Sequence, residues 1–255
     1  MPGQRTIDRQ RPIMQDATDS RSLIRQAFTR LMPPKGTFDP NGNWNHSYVD
    51  IGSLGLNFVQ GGLSISHKAG GTLDVESHRL CPSGYRYFTK ATISLGKDGL
   101  RSPTAWHVES KVSKTPTGKA RLNTDMTKRA TVTKGVVTIA TGKDVRKIDA
   151  DGPLTCKPCL MDVVGRLAAA NVKELPFTMF DEYDELLPNQ RLSLRGVERV
   201  PTKGGNVALT TYQHTGTATV PGMFYVDDAG RVLAYLAGMQ LLILKTVNGK
   251  NEAFK

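Results

Sequence analysis

Long apolar runs are missing from this 255-residue chain. The longest, Val232 to Leu244, is interrupted by Gly238 and Gln240 and falls short of the roughly 18 residues a membrane-spanning helix needs. Cysteine is scarce and odd in number, three in all, which excludes a disulfide scaffold and leaves the redox compartment open. No apolar segment follows the charged start Arg5, Asp8, Arg9, Arg11. The expected location is therefore cytoplasmic if this N-terminus is complete, and exported or periplasmic if a signal segment has been removed. Also absent are G-x-G-x-x-G, G-x-S-x-G and H-E-x-x-H, and Gly142-Lys143 is followed by Asp144 with Val137 upstream, so the phosphate-binding P-loop pattern is not met. Nucleotide-binding, serine hydrolase and zinc protease classes lose their usual support. No cofactor is expected, and a binding protein is favoured over an enzyme.

What is present is an ordinary globular composition, 38% hydrophobic with 25 glycines, and a formal charge of +11. That charge is unevenly spread. Residues 1–35 carry seven basic and three acidic groups, 36–150 sixteen and nine, and 151–255 eleven of each. The segment Lys111 to Lys147 has ten basic groups against Asp125 and Asp144. Lys128, Arg129, Lys143, Arg146 and Lys147 are its candidate anion-binding residues, toward nucleic acid or an anionic membrane surface. The stretch has no aromatic residue on which a base could stack. Lysines on outward strand positions and turns give the same composition.

Periodicity divides the chain. Leu23, Ile24, Ala27, Phe28 and Leu31 predict a helix over Thr18 to Met32, stopped by Pro33-Pro34. From Gly36 to about Thr141 the period becomes two. Tyr85, Tyr87, Thr89, Ala91, Ile93 and Leu95 share one face of a strand, Trp106, Val108 and Val112 one face of the next, and Gly96-Lys97-Asp98-Gly99 is the turn between them. Leu63 to His67 and Thr72 to Val75 form a second hairpin. Leu160, Val163, Val164, Leu167 and Ala168 mark a helix, and a shorter helical turn is expected from Met179 to Leu187. Strands then return, with turns at Lys203 to Asn206 and Asp227 to Gly230. The fold class expected is α+β: one curved antiparallel sheet, half-barrel-like, packed on one or two helices. The division expected is an N-terminal helical arm over 1–35 and a single α+β domain over 36–255.

Several residues are candidates for chemistry. Cys156-Lys157-Pro158-Cys159 stands at the start of the middle helix, where the helix dipole and Lys157 would favour a thiolate. Cys156 and Cys159 are thus redox candidates. With His78 and Cys81 they would also supply the four N/S ligands of a structural zinc site. Alternatively all three cysteines are small buried apolar groups. Asp181, Glu182, Asp184 and Glu185 are read as favouring the positive end of the expected second short helix, with a paired-carboxylate site as the alternative. His46, His67, His107 and His214 are read as surface or singly hydrogen-bonded. Met161, Met179, Met223 and Met239 are candidates to line a groove for apolar ligands, or else to fill the core.

The CKPC run resembles the active-site turn of the thioredoxin family, and Val220-Pro221 followed by Met223 to Val232 is similar to that family's cis-proline, strand, turn and strand. That resemblance implies thiol-disulfide exchange. The run Arg146 to Thr155 departs from the buried apolar strand the family places before its first cysteine. A second resemblance covers about residues 176–240. Pro176-Phe177-Thr178, Asn189 to Ser193, Thr211 to Gly216 and Val220 to Leu233 are similar to exported bacterial domains of unknown function with a curved antiparallel sheet around helices, loosely like periplasmic lipoprotein carriers. It implies non-enzymatic binding of an apolar or amphipathic ligand, or of a protein partner at an anionic surface. The alternatives are a thiol-disulfide oxidoreductase and a basic nucleic-acid-binding protein.

Overall fold

Two-residue alternation governs most of the chain, and those segments pair as strands. In a computed structural model residues 20–52, 56–80, 84–114, 126–150, 152–249 and 253–254 are described. A helix α1 (Ser20–Arg30) precedes eight strands: β1 (Trp44–Gly52), β2 (Val59–Lys68), β3 (Thr72–Leu80), β4 (Tyr85–Leu95), β5 (Pro103–Lys114), β6 (Met126–Thr133), β7 (Val136–Thr141) and β8 (Asp144–Asp149). Next come β9 (Leu154–Cys156), a single 3-10 turn over Lys157–Cys159, and helix α2 (Leu160–Ala169). The chain ends with β10 (Glu174–Asp181), β11 (Glu185–Thr202), β12 (Gly205–Thr215), β13 (Gly222–Val226), β14 (Val232–Ala237) and β15 (Gln240–Val247).

All these strands belong to one sheet, in the order β8 to β1, then β15 back to β9. Two meanders are thus joined where β1 pairs antiparallel with β15. Every pairing is antiparallel except β9 with β10. The sheet curls until its ends approach without hydrogen-bonded closure among the described residues. The indole of Trp106 on β5 donates to the carbonyl of Tyr183 in the β10–β11 turn at 3.0 Å, and its ring lies 5.3 Å from that of Phe180. Lys128 on β6 reaches Asp184 at 2.9 Å and the carbonyl of Glu182 at 3.0 Å, and Arg146 on β8 also bonds the carbonyl of Asp184.

That clasp corrects one expectation. The acidic run from Asp181 to Glu185 forms no helix; it is a hairpin turn with Glu182 and Tyr183 at positive φ of 47° and 67°. The apolar neighbours Phe180 and Leu187 obey strand alternation on either side, and the acids serve the turn by holding Lys128 and Arg146 instead of favouring a helix dipole.

α2 lies within the curl, and Leu160 to Gly165 and Leu167 are buried. Gly165 permits this depth, because a Cβ there would stand 2.3 Å from the carbonyl oxygen of Gly230 in the β13–β14 turn. The buried pair Asp162 and Arg166, 2.9 Å apart, supplies the helix's polar contact, with Arg166 also bonded to Asn41 and Pro40. α1 packs on β11 through Leu23, Ile24, Ala27, Phe28 and Leu31, and these side chains join the same hydrophobic cluster as the sheet. None of the helices described is long and apolar enough to cross a membrane.

Candidate functional site

The register of β1 to β7 arranges the inward side chains in rows. One row runs Trp44, His67, Leu73, Ile93, Trp106, Ala130 and Ile139, all buried. The next is His46, Ile65, Val75, Ala91, Val108 and Lys128, and the third is Tyr48, Leu63, Ser77, Thr89, Ser110 and Met126. The fourth is Asp50, Gly61, Arg79, Tyr87 and Val112. The inner face therefore changes along the strands from apolar to polar, with small hydroxyl side chains where core strands carry branched ones.

This gradient leaves a cavity at each end of α2. Beyond the apolar rows, at the C-terminal end of α2, a cavity of about 1090 Å³ is lined by Leu100, Val132, Ala150, Leu154, Leu167, Ala169, Val172 and Leu175, with Arg101 and Asp98 among its polar members. At the N-terminal end a second, of about 660 Å³, lies between the hydroxyl row and Lys157, Pro158, Leu160, Met161, Phe224, Tyr235 and Leu242. Trp106 and the middle of α2 line neither cavity and lie between them.

Asp50 is the distinctive group of the smaller cavity. It is 3% exposed; its Oδ2 accepts from the Gln240 amide at 3.0 Å and stands 3.8 Å from Arg79 Nε, while Oδ1 has no hydrogen-bond partner among the described residues. Arg79 reaches it across β2 because Gly61, between them in the ladder, has no side chain. A Cβ on Gly61 would also meet the carbonyl oxygen of His78 at 2.0 Å. Burial pushes the Asp50 carboxyl up from its ordinary value, against the opposing pull of Gln240, Arg79 and His78.

The residues singled out from the sequence are dispersed. Cys156 and Cys159 are free thiols and fully enclosed, and burial, then the contact with Cys159, pushes the Cys156 thiol up. β9 does run parallel to β10 and lead into the CKPC turn, but it is a three-residue strand at the end of an antiparallel sheet. Burial of the Cys156 thiol opposes formation of the thiolate on which exchange of the thioredoxin kind depends. Among the described residues no group of three metal-ligating side chains is gathered. His78 is on β3, exposed, its ring stacked on Phe88 at 6.1 Å, and Cys81 lies outside the described residues.

Of the four methionines, Met161 lines the smaller cavity. Met179 is buried core, Met223 packs against that core on β13, and Met239 is 68% exposed in the β14–β15 turn, where it lines no groove. Lys128 and Arg146 are taken up by Asp184, and Arg129 donates to the ring of His107 at 3.2 Å. Lys143 and Lys147 stand exposed on the last hairpin. No common anion site gathers these five.

One histidine also differs from expectation: His46 is buried on β1, its ring tilted against that of Trp44 at 4.7 Å. Buried His67 on β2 has the single hydrogen bond expected of it, from Nδ1 to the Gly42 carbonyl at 2.7 Å, and stacks on Trp44 at 5.6 Å. Burial first, and then Arg231, hold His46 down at about 4. Buried His214 donates from Nε2 to Gln190 Oε1 at 3.0 Å and is held down to about 4, chiefly by burial. Reasoning from the sequence missed Asp50 and the hydroxyl row. The signal was there: Ser77 and Arg79 continue the phase of Leu73 and Val75, and Ser110 that of Trp106 and Val108.

No family model and no curated protein matches the sequence. Among solved structures, a beta-barrel-like protein of the domain of unknown function DUF1849 from Brucella abortus matches 81% of this chain and 97% of its own, with a TM-score of 0.55 at 12% identity. The chain is thus similar in fold to a bacterial domain of unknown function, a single curved, unclosed antiparallel sheet with two short helices.

Proposed function

We propose that this protein is a non-enzymatic binding protein for an apolar or amphipathic ligand, held in the larger cavity between the curled sheet and the C-terminal end of α2. The observation that carries this reading is the cavity itself. Its volume of about 1090 Å³ suits a small-molecule ligand, and its wall is aliphatic apart from a few polar groups such as Arg101, Asp98 and Arg166. A ligand with an apolar body and one polar end fits that distribution, the body displacing water from Val132, Leu154, Leu167 and Leu175. At roughly 25 cal/mol per Å² of apolar surface, a twelve-carbon chain gains several kcal/mol from such burial before the cost of association. The curled sheet around a helix supports the same reading, since it offers an apolar concavity to an acyl group.

Native mass spectrometry of the purified protein, followed by displacement of 1-anilinonaphthalene-8-sulfonate with dodecanoate, tests it. Dodecanoate is expected to displace the dye, and Val132→Trp or Ala169→Trp, which fill the cavity, to weaken it at least tenfold. Equal binding by the filled variants removes the reading.

A further inference from the structure

We propose that the smaller cavity is a second binding site and that it takes an amine-headed amphiphile, with the ammonium group on the free oxygen of Asp50 and the apolar stem along Leu160, Met161, Phe224 and Leu242. The site is separate from the larger cavity and does not rest on its being occupied.

The first support is the unsatisfied carboxylate. Asp50 is nearly enclosed, one oxygen is met by Gln240, and Oδ1 has no donor among the described residues. Buried polar atoms are nearly always paired, and a charged one without a partner is the costliest exception. Arg79 does not fill the role. It approaches Oδ2 only at 3.8 Å from a half-exposed side chain, and its Nη2 also reaches Gln60 at 3.4 Å.

The second support is that other cations of this cavity are engaged. Lys128 is held by Asp184 at 2.9 Å and Lys157 by Asp181 at 3.1 Å. Glu182, exposed beside the cavity, adds a further negative charge. The charge demand is therefore for a cation. A carboxylate ligand would bring two like charges together where water is partly excluded. A hydroxyl would give a hydrogen bond but add no positive charge to the long contact with Arg79. An ammonium group gives both the donor and the opposite charge.

The third support is shape. The small side chains of Ser77, Thr89 and Ser110 leave room along the floor of the cavity whose rim includes Asp50. Tyr87, Tyr235 and Phe224 present aromatic rings in the same cavity, which favour an organic cation over an anion. The opposite wall is apolar, so a short alkyl stem has a place to lie.

Calorimetric titration of the full chain at pH 7 with octylamine, octanol and octanoate, each below its micellar concentration, tests the proposal. Octylamine is expected to bind at least tenfold more tightly than the other two, and Asp50→Asn to abolish that preference. Ser110→Leu keeps Asp50 but fills the floor, and is expected to weaken octylamine at least fivefold, which guards against an Asp50 variant that fails to fold. Val132→Trp is expected to leave octylamine binding unchanged, which separates this site from the larger cavity. Equal affinity for the three head groups, or a preference that survives Asp50→Asn, overturns the proposal. Octanol binding as tightly as octylamine overturns its ammonium part.

Discussion

The two ends of α2 face the same curled sheet yet have opposite chemistry. At the C-terminal end the wall is Val132, Leu154, Leu167 and Leu175; at the N-terminal end it is Ser77, Thr89, Ser110 and Asp50 facing Leu160 and Met161. Different elements supply the two walls: β9, β10 and the segment 98–102 at the C-terminal end, β1 to β4 at the N-terminal end, with β5 and β6 reaching both. Along β3, β4 and β5 the inward phase turns from apolar to hydroxyl side chains within four positions, as from Leu73 to Ser77 and from Trp106 to Ser110. One sheet can thus carry a dry compartment and a polar one, provided something fills the space between. Trp106, Phe180 and the middle of α2 occupy that position.

The comparison breaks first at this partition. Trp106→Ala removes a fully packed indole and its bond to Tyr183, and a loss of about 4 kcal/mol in unfolding free energy by urea titration is expected. In the surviving folded fraction, dodecanoate and octylamine should compete, whereas in the native protein they are expected to bind independently. A loss below about 1 kcal/mol would mean that Trp106 holds nothing apart.

Acid acts on the enclosed side. His46 is held down to about 4 against an ordinary value of 6.5, so the unfolded chain takes up the proton first. Stability is full above pH 6.5 and falls as pH drops toward 4, by at most about 3 kcal/mol for this residue. His214, also at about 4, adds a fall over the same window. His46→Phe should flatten the pH dependence of unfolding by about half. An unchanged slope would place the acid sensitivity elsewhere.

Cys156 sharpens the contrast between enclosed and reactive groups. Cys156→Ser exchanges a buried thiol for a hydroxyl and is expected to cost about 2 kcal/mol, while in a Cys81→Ser background the native protein resists iodoacetamide until denaturant is added. Rapid alkylation of the folded protein with an apparent pKa near neutrality would restore dithiol exchange. The smallest effect belongs to the clasp. Asp184→Asn weakens its hold on Lys128 and Arg146, and with the acid about one-third exposed a loss near 1 kcal/mol is expected in thermal unfolding.

Much of the architecture was legible because alternation is a local property. The phase of Tyr87, Thr89, Ala91 and Ile93, the turn at Gly96 to Gly99, and the stripe of Leu160, Val163, Val164 and Leu167 each identify an element that the structure contains. The stretch from Met179 to Leu187 misled for a definable reason. Four acids near a short apolar pattern fit a helix start, but Phe180 and Leu187 are buried by the ends of the curl, and tertiary burial outweighs that weak local preference. His46 misled similarly, since nothing beside it in the sequence announces that it will be buried against Phe38 and Trp44.

The amino-acid order by itself determined that the chain makes one long antiparallel sheet with a buried helix in its middle, because burying one face of each strand requires only periodicity. It did not determine which face positions meet. Asp50 and Gln240 are 190 residues apart, Trp106 and Tyr183 77 apart, and their encounters depend on β1 pairing with β15 and on the curl that brings the ends of the sheet together. Only the tertiary structure decided where the sheet is filled and where it stays hollow, since a cavity is a property of what several strands fail to supply at one place.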